Sequence, residues 1–113
     1  YLVGLLKKGV WIGLDRYPGT PSPENPGWEE RTQTLKNLID AGFGHRIMLG
    51  HDWSVTLSIA TKEAQDRRRK YNPDSYLFIQ RKVLPRLREL GASEDDVNRI
   101  MVENPRHFFE GKQ

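Results

Sequence analysis

The strongest constraint on this chain is one short stretch, Arg46-Ile-Met-Leu-Gly-His-Asp-Trp53, an apolar run ending in an acid flanked by a histidine and a tryptophan. Ile47, Met48, Leu49 and Gly50 are continuous rather than alternating, the pattern of a parallel strand covered on both faces. Side chains alternate along a strand, so Met48, Gly50 and Asp52 are expected on one face and Ile47, Leu49 and His51 on the other. Asp52 then marks the strand's carboxyl end, where open parallel sheets and barrels collect ligands and catalytic groups. A second run on the same plan, Val10-Trp-Ile-Gly-Leu14, ends in Asp15.

The rest of the chain connects and covers these two runs. Tyr1 to Lys8 carries Leu2, Leu5 and Leu6 at helical spacing and stops at Gly9. A chain that opens inside a helix leads us to expect a missing upstream part. Arg16 to Gly27 holds four prolines and two glycines, a composition that propagates neither regular structure and predicts a semi-rigid functional arm. Trp28, Thr32, Leu35 and Ile39, widened by Leu38, predict a helix closed by Gly42. Two strands joined by a helical crossover make a parallel βαβ unit with a right-handed connection.

Beyond Trp53, residues Ser54 to Tyr71 show no convincing period, with room for a helical turn around Lys62 to Arg69. Asn72-Pro73 predicts a cap and first residue for a helix carrying Ile79, Val83, Leu87 and Leu90, closed by Gly91 and kinked at Pro85. Ser93-Glu-Asp-Asp96 predicts a capping box for a helix with Val97, Ile100 and Met101. Asn104-Pro105 predicts a fresh cap for a last turn ending in Phe108 and Phe109.

Composition enters as a test of completeness. The 113 residues fit one domain, yet 36% hydrophobic content and a mean hydropathy of -0.72 are low for a whole α/β enzyme. Two parallel strands also leave both sheet edges open, so the chain reads as an incomplete sheet. No run approaches the roughly 18 apolar residues of a membrane span and no secretory leader opens the chain, which makes a soluble, cytoplasmic protein the expectation. Without cysteine there is no disulfide or thiolate zinc site. The net charge of +3 leaves one basic cluster, Arg67 to Lys70, with no stacking aromatics threaded through it. It reads as a solvated helix face; the alternative is a non-enzymatic basic interaction module. Neither nucleic acid nor membrane is an expected partner.

A buried carboxylate needs a metal or hydrogen bonds, so Asp52 reads as a metal-binding or catalytic group and Asp15 rather as a structural one. His51, facing away from Asp52, reads as a packing residue; His45 and His107 read as surface residues. There is no HxH pair, HExxH motif or nucleophile elbow, so spacing alone assembles no three-ligand metal site.

Gly13-Leu-Asp-Arg-Tyr-Pro-Gly19, Leu38-Ile-Asp-Ala-Gly42, Ile47-Met-Leu-Gly-His-Asp-Trp53, Phe78 to Gly91 and Val102-Glu-Asn-Pro-Arg106, in that order, resemble the closing section of the phosphotriesterase family. That family includes the phosphotriesterase-like lactonases and belongs to the amidohydrolase superfamily. The resemblance implies an α/β fold: the last two βα units, strands 7 and 8 with their helices, of a TIM (β/α)8 barrel, incomplete on its own. Residues 1–113 would be the C-terminal fragment of a single metal-dependent hydrolase barrel domain, which needs about 250 residues. It implies a divalent metal centre, with two zinc ions the first expectation, bridged by a hydroxide that attacks ester-type bonds.

On this resemblance Asp52 matches both a metal ligand and the catalytic carboxylate, while Arg16, Tyr17 and Trp53 match substrate-binding positions. Phosphotriesterases proper carry a histidine in place of Arg16, within a proton relay that a permanently charged guanidinium cannot serve. The expectation therefore leans from phosphotriesters and other organophosphates toward lactones and carboxylic esters. The other ligands, an HxH on strand 1, a carboxylated lysine on strand 4 and histidines on strands 5 and 6, would lie upstream. The isolated chain is expected to be inactive and, with apolar faces uncovered, aggregated or molten. A homodimeric parent is left open.

Overall fold

Two short strands, β1 (Ile12–Leu14) and β2 (Ile47–Leu49), pair in parallel, with Ile12 opposite Ile47, Gly13 opposite Met48 and Leu14 opposite Leu49. The computed structural model describes residues 1–19, 23–53 and 61–112. The middle of the proline-rich arm and the first part of the second connection lie outside the described residues. Parallel strands cannot be joined by a tight turn, and here the crossover is α2 (Trp28–Asp40), preceded in the chain by α1 (Leu2–Leu6).

α2 ends as its sequence requires. Gly42 adopts φ +90°, its N–H reaches the Ile39 carbonyl at 2.9 Å, and the Phe43 N–H reaches Leu38 O at 3.0 Å. A side chain at that left-handed position would be strained. The chain is thereby turned through a 3-10 turn, Gly44–Arg46, straight into β2.

The core lies on one side of the sheet. α2 buries Thr32, Leu35 and Leu38, against Ile79, Val83 and Leu87 of the next long helical stretch and Val97 and Ile100 of the last. Trp28 and Phe78 close it with an edge-to-face contact, ring centres 5.5 Å apart. Each large side chain fully buried in such a cluster contributes about 1.5–3 kcal/mol. Ile47 is buried and Leu49, on the same face, packs against the core, whereas on the other face Met48 is half-buried and Gly13 is exposed.

α3 (Lys62–Tyr71) is longer than the single turn expected, and none of its residues is buried. Thr61 makes it possible, accepting the Ala64 N–H at 3.1 Å as a side-chain cap. The expected cap at Asn72-Pro73 is corrected: Asn72 closes α3 and its side-chain oxygen takes the Ser75 N–H at 3.0 Å, while the 3-10 turn that restarts the helical path, Ser75–Leu77, begins after Asp74 and leaves Pro73 outside it. Ser93 and Asp96 form the expected capping box.

Both prolines embedded in helical sequence are accommodated in the same way. A π-helical segment, Ile79–Val83, precedes α4 (Leu84–Glu89), and a second, Arg99–Glu103, joins α5 (Glu94–Asn98) to α6 (Asn104–Phe109). The N–H groups of Leu84 and Asn104 reach back five residues, to Ile79 O and Arg99 O. A proline ring clashes with the carbonyl four residues back in an α-helix; the widened turn ahead of Pro85 and Pro105 moves that carbonyl aside. The expected fresh cap at Asn104-Pro105 is therefore corrected. Asn104 sits inside a continuous helical path, 1% exposed, donating to Gly44 O and Ile47 O at 2.7 Å each. Among the described residues no helix is long and apolar enough to cross a membrane.

Candidate functional site

Pairing between the two segments continues past the strands. The Gly50 N–H reaches Leu14 O at 3.2 Å and the Tyr17 N–H approaches Gly50 O at 3.5 Å, so the segments after β1 and β2 leave the sheet side by side. Both then turn through a left-handed residue that is not glycine: Arg16 at φ +63° and Asp52 at φ +46°. Such conformations cost about 1–3 kcal/mol each and persist only where the surroundings fix them.

For Arg16 the fixing groups come from α2 and the core. The Arg31 guanidinium donates from Nη1 to Arg16 O at 2.8 Å and from Nη2 to Asp15 O, and lies over the Tyr17 ring at 4.6 Å. Tyr17 itself is fully buried. The expectation that Tyr17 lies on the substrate side is corrected, and Arg31 is a site residue that the sequence motifs do not single out. The structure packs the ring into the core because it is the apolar body under the turn. Burial pushes the Tyr17 phenol up; Thr32 beside it pulls the other way, but the Thr32 hydroxyl donates to Trp28 O at 2.7 Å and leaves Tyr17 Oη without a well-formed hydrogen bond. The signal for Arg31 was available: it follows Trp28 by one helical turn, beside the buried Thr32.

Arg16 Nε lies 3.6 Å from Asp52 Oδ2, with 73% and 63% of the two side chains exposed. So open an ion pair contributes at most about 1 kcal/mol and separates readily. The premise that Asp52 is a buried carboxylate is corrected, and so is the one-face argument that aimed it. β2 ends at Leu49, so strand alternation does not reach Asp52, whose own left-handed backbone turns it toward Arg16. Asp15 is exposed as well, and its backbone rather than its carboxylate is tied to α2.

Trp53 is half-buried at the same end. The Arg68 guanidinium of α3 sits 4.6 Å over its ring, and the Tyr76 hydroxyl donates to its carbonyl. This draws part of the basic cluster into the rim of the site instead of an open stripe. His51 is a packing residue, as expected: Nε2 accepts the Ile79 N–H at 3.1 Å, and the ring meets Tyr76 edge-on. An accepting nitrogen carries no proton, and burial likewise lowers the imidazole's pKa. His45, held by Gly42 O, and His107, beside Glu103, lie elsewhere.

A cavity of about 230 Å³ adjoins Arg16, lined also by Asp15, Asn25 and Arg31. Among the described residues no three His, Cys, Asp or Glu side chains converge as a metal site. Asp52 offers one hard oxygen donor, exposed and loosely paired. The described residues thus fit a divalent ion as one ligand of a shared site, not as a complete one.

A sequence profile of the phosphotriesterase family matches residues 1–109. An aryldialkylphosphatase of Saccharolobus solfataricus is 30% identical over 96% of this chain and 34% of its own length. An N-acetyltaurine hydrolase of Danio rerio is 31% identical over 74% of this chain and 22% of its own. The structure of the phosphotriesterase from Mycobacterium tuberculosis superposes with a TM-score of 0.82 at 24% identity, covering 97% of this chain and 32% of that one. The chain therefore spans between 22% and 34% of the length of these relatives, and its fold matches part of that of the M. tuberculosis enzyme. The chain belongs to the phosphotriesterase family.

Proposed function

We propose that the full-length protein carrying this chain is a metal-dependent hydrolase of ester-type bonds, in which these residues form strands 7 and 8 of a (β/α)8 barrel. The observation that carries the reading is the convergence of Asp52 and Arg16, both in left-handed backbone conformations, at the carboxyl ends of two parallel strands. In barrels that end holds the chemistry. The two named hydrolase relatives agree on hydrolysis and differ in substrate.

In this proposal Asp52 is a ligand of a divalent centre, with zinc first in expectation, whose other ligands come from the rest of the barrel. Such a centre, when bound, lowers the pKa of water and polarises the electrophile. The chain's own groups do the remainder. The ionised Asp52 carboxylate can accept but not donate, which suits it to take the proton of an attacking water. Arg16 is permanently charged and presents its donors to a carbonyl or phosphoryl oxygen without relaying protons, which favours lactones and carboxylic esters over phosphotriesters. Trp53, braced by Arg68, walls the substrate mouth, while Tyr17 and Arg31 hold the Arg16 turn.

The test is hydrolysis of a lactone and of an aryl dialkyl phosphate by the full-length protein, with and without a chelator. Asp52→Ala, with its circular dichroism unchanged, should lose at least about a hundredfold in turnover. Unchanged turnover would overturn the assignment.

A further inference from the structure

A larger cavity, about 460 Å³, opens at the opposite end of the sheet. Trp11 and Arg46, the residues directly ahead of β1 and β2, line it together with Arg99, Glu103, Asn104 and His107 of the last helical path. Its shape is built from within. The two hydrogen bonds of the buried Asn104 fix the Gly44–Arg46 turn, and this sets the direction in which Arg46 leaves the backbone.

The Arg46 guanidinium lies 4.9 Å over the Trp11 ring, a contact that orients it without engaging its N–H groups. Nη1 is buried and has no hydrogen-bond partner among the described residues. A buried charged donor left unpaired is costly, so the site favours an acceptor. Among the described residues, the one carboxylate lining the cavity does not supply it. Glu103 is already committed, 2.6 Å from Arg106 and 3.9 Å from His107. Arg99 has only a long pair, 3.8 Å from Asp96. Two guanidinium groups therefore border a cavity whose one carboxylate faces other cations.

We propose that this cavity binds a small oxyanion of the phosphate or carboxylate type, with Arg46 as the anchoring donor and Arg99 as the second. Planar guanidinium forks match such anions geometrically. The proposal does not depend on the hydrolase reading, because the site stands at the other end of the strands from Asp52.

The experiment is a calorimetric titration of the full-length protein with inorganic phosphate, against chloride at matched ionic strength. Saturable binding is expected, weakened at least about tenfold by Arg46→Gln and about threefold by Arg99→Gln, since each removes a charge-assisted donor. Turnover should be unchanged in Arg99→Gln. Should Arg46→Gln fail to fold for want of its stacking on Trp11, the exposed Arg99 decides. Absence of saturable binding, as when an acidic side chain of the full-length protein already fills the cavity, would overturn the proposal. So would binding that neither variant weakens.

Discussion

His51 shows how much one nitrogen settles. Ile79 is almost wholly buried, and its N–H has His51 Nε2 as acceptor, so His51→Ala in the full-length protein should cost about 1–3 kcal/mol in chemical denaturation. The pH dependence follows from the lowered pKa of the folded state. Below about 6.5 the unfolded chain takes up a proton that the folded one resists. The His51 contribution is therefore complete above that value and is lost as pH falls through the folded pKa. Unfolding curves between neutral and mildly acid pH should show the wild type losing stability faster than the variant; identical slopes would contradict the assignment. Arg16 and Asp52 make the complementary point, since their left-handed backbones store strain where a carboxylate and a guanidinium meet.

Among the elements, the last helical path is held to the sheet through Asn104. Asn104→Ala would leave the Gly44 and Ile47 carbonyls without their donor, at an expected cost of about 2–4 kcal/mol. Val102→Ala, on the exposed side of the same path, should stay within about 0.5 kcal/mol. Equal effects, read from denaturation midpoints, would show that the tie is not what holds the path. This element also marks what sequence could convey. Local signals carried well: the glycine after α2, the Ser93–Asp96 box and the stripe of Thr32, Leu35 and Leu38 all act as their spacing predicts. Asn104-Pro105 misled because its local pattern is that of a cap, while its donors are spent on carbonyls some sixty residues earlier in the chain. Asp52 was legible as a strand-end acid, but not its exposure or its aim. Those depend on where β2 stops and on a backbone angle that alternation does not encode. Tyr17 was misplaced for a related reason, since only the fold shows that Arg31 closes over it.

At the scale of the molecule, the two parallel strands and their helices correspond to part of the longer chains they match. The relatives matched are about three times as long, and the M. tuberculosis enzyme superposes on nearly all of this chain with a third of its own. Open strand edges and the uncovered face of Gly13 and Met48 are where a barrel would continue. In the function proposed above, Asp52 stands at a metal centre completed by the rest of that barrel. The most direct test is anomalous diffraction at the metal edge from crystals of the full-length protein grown with zinc. A peak is expected about 2.0–2.2 Å from an Asp52 carboxylate oxygen, with Arg16 displaced from its pairing. A peak that leaves Asp52 uncoordinated, or no peak at the carboxyl ends of the strands, would contradict it.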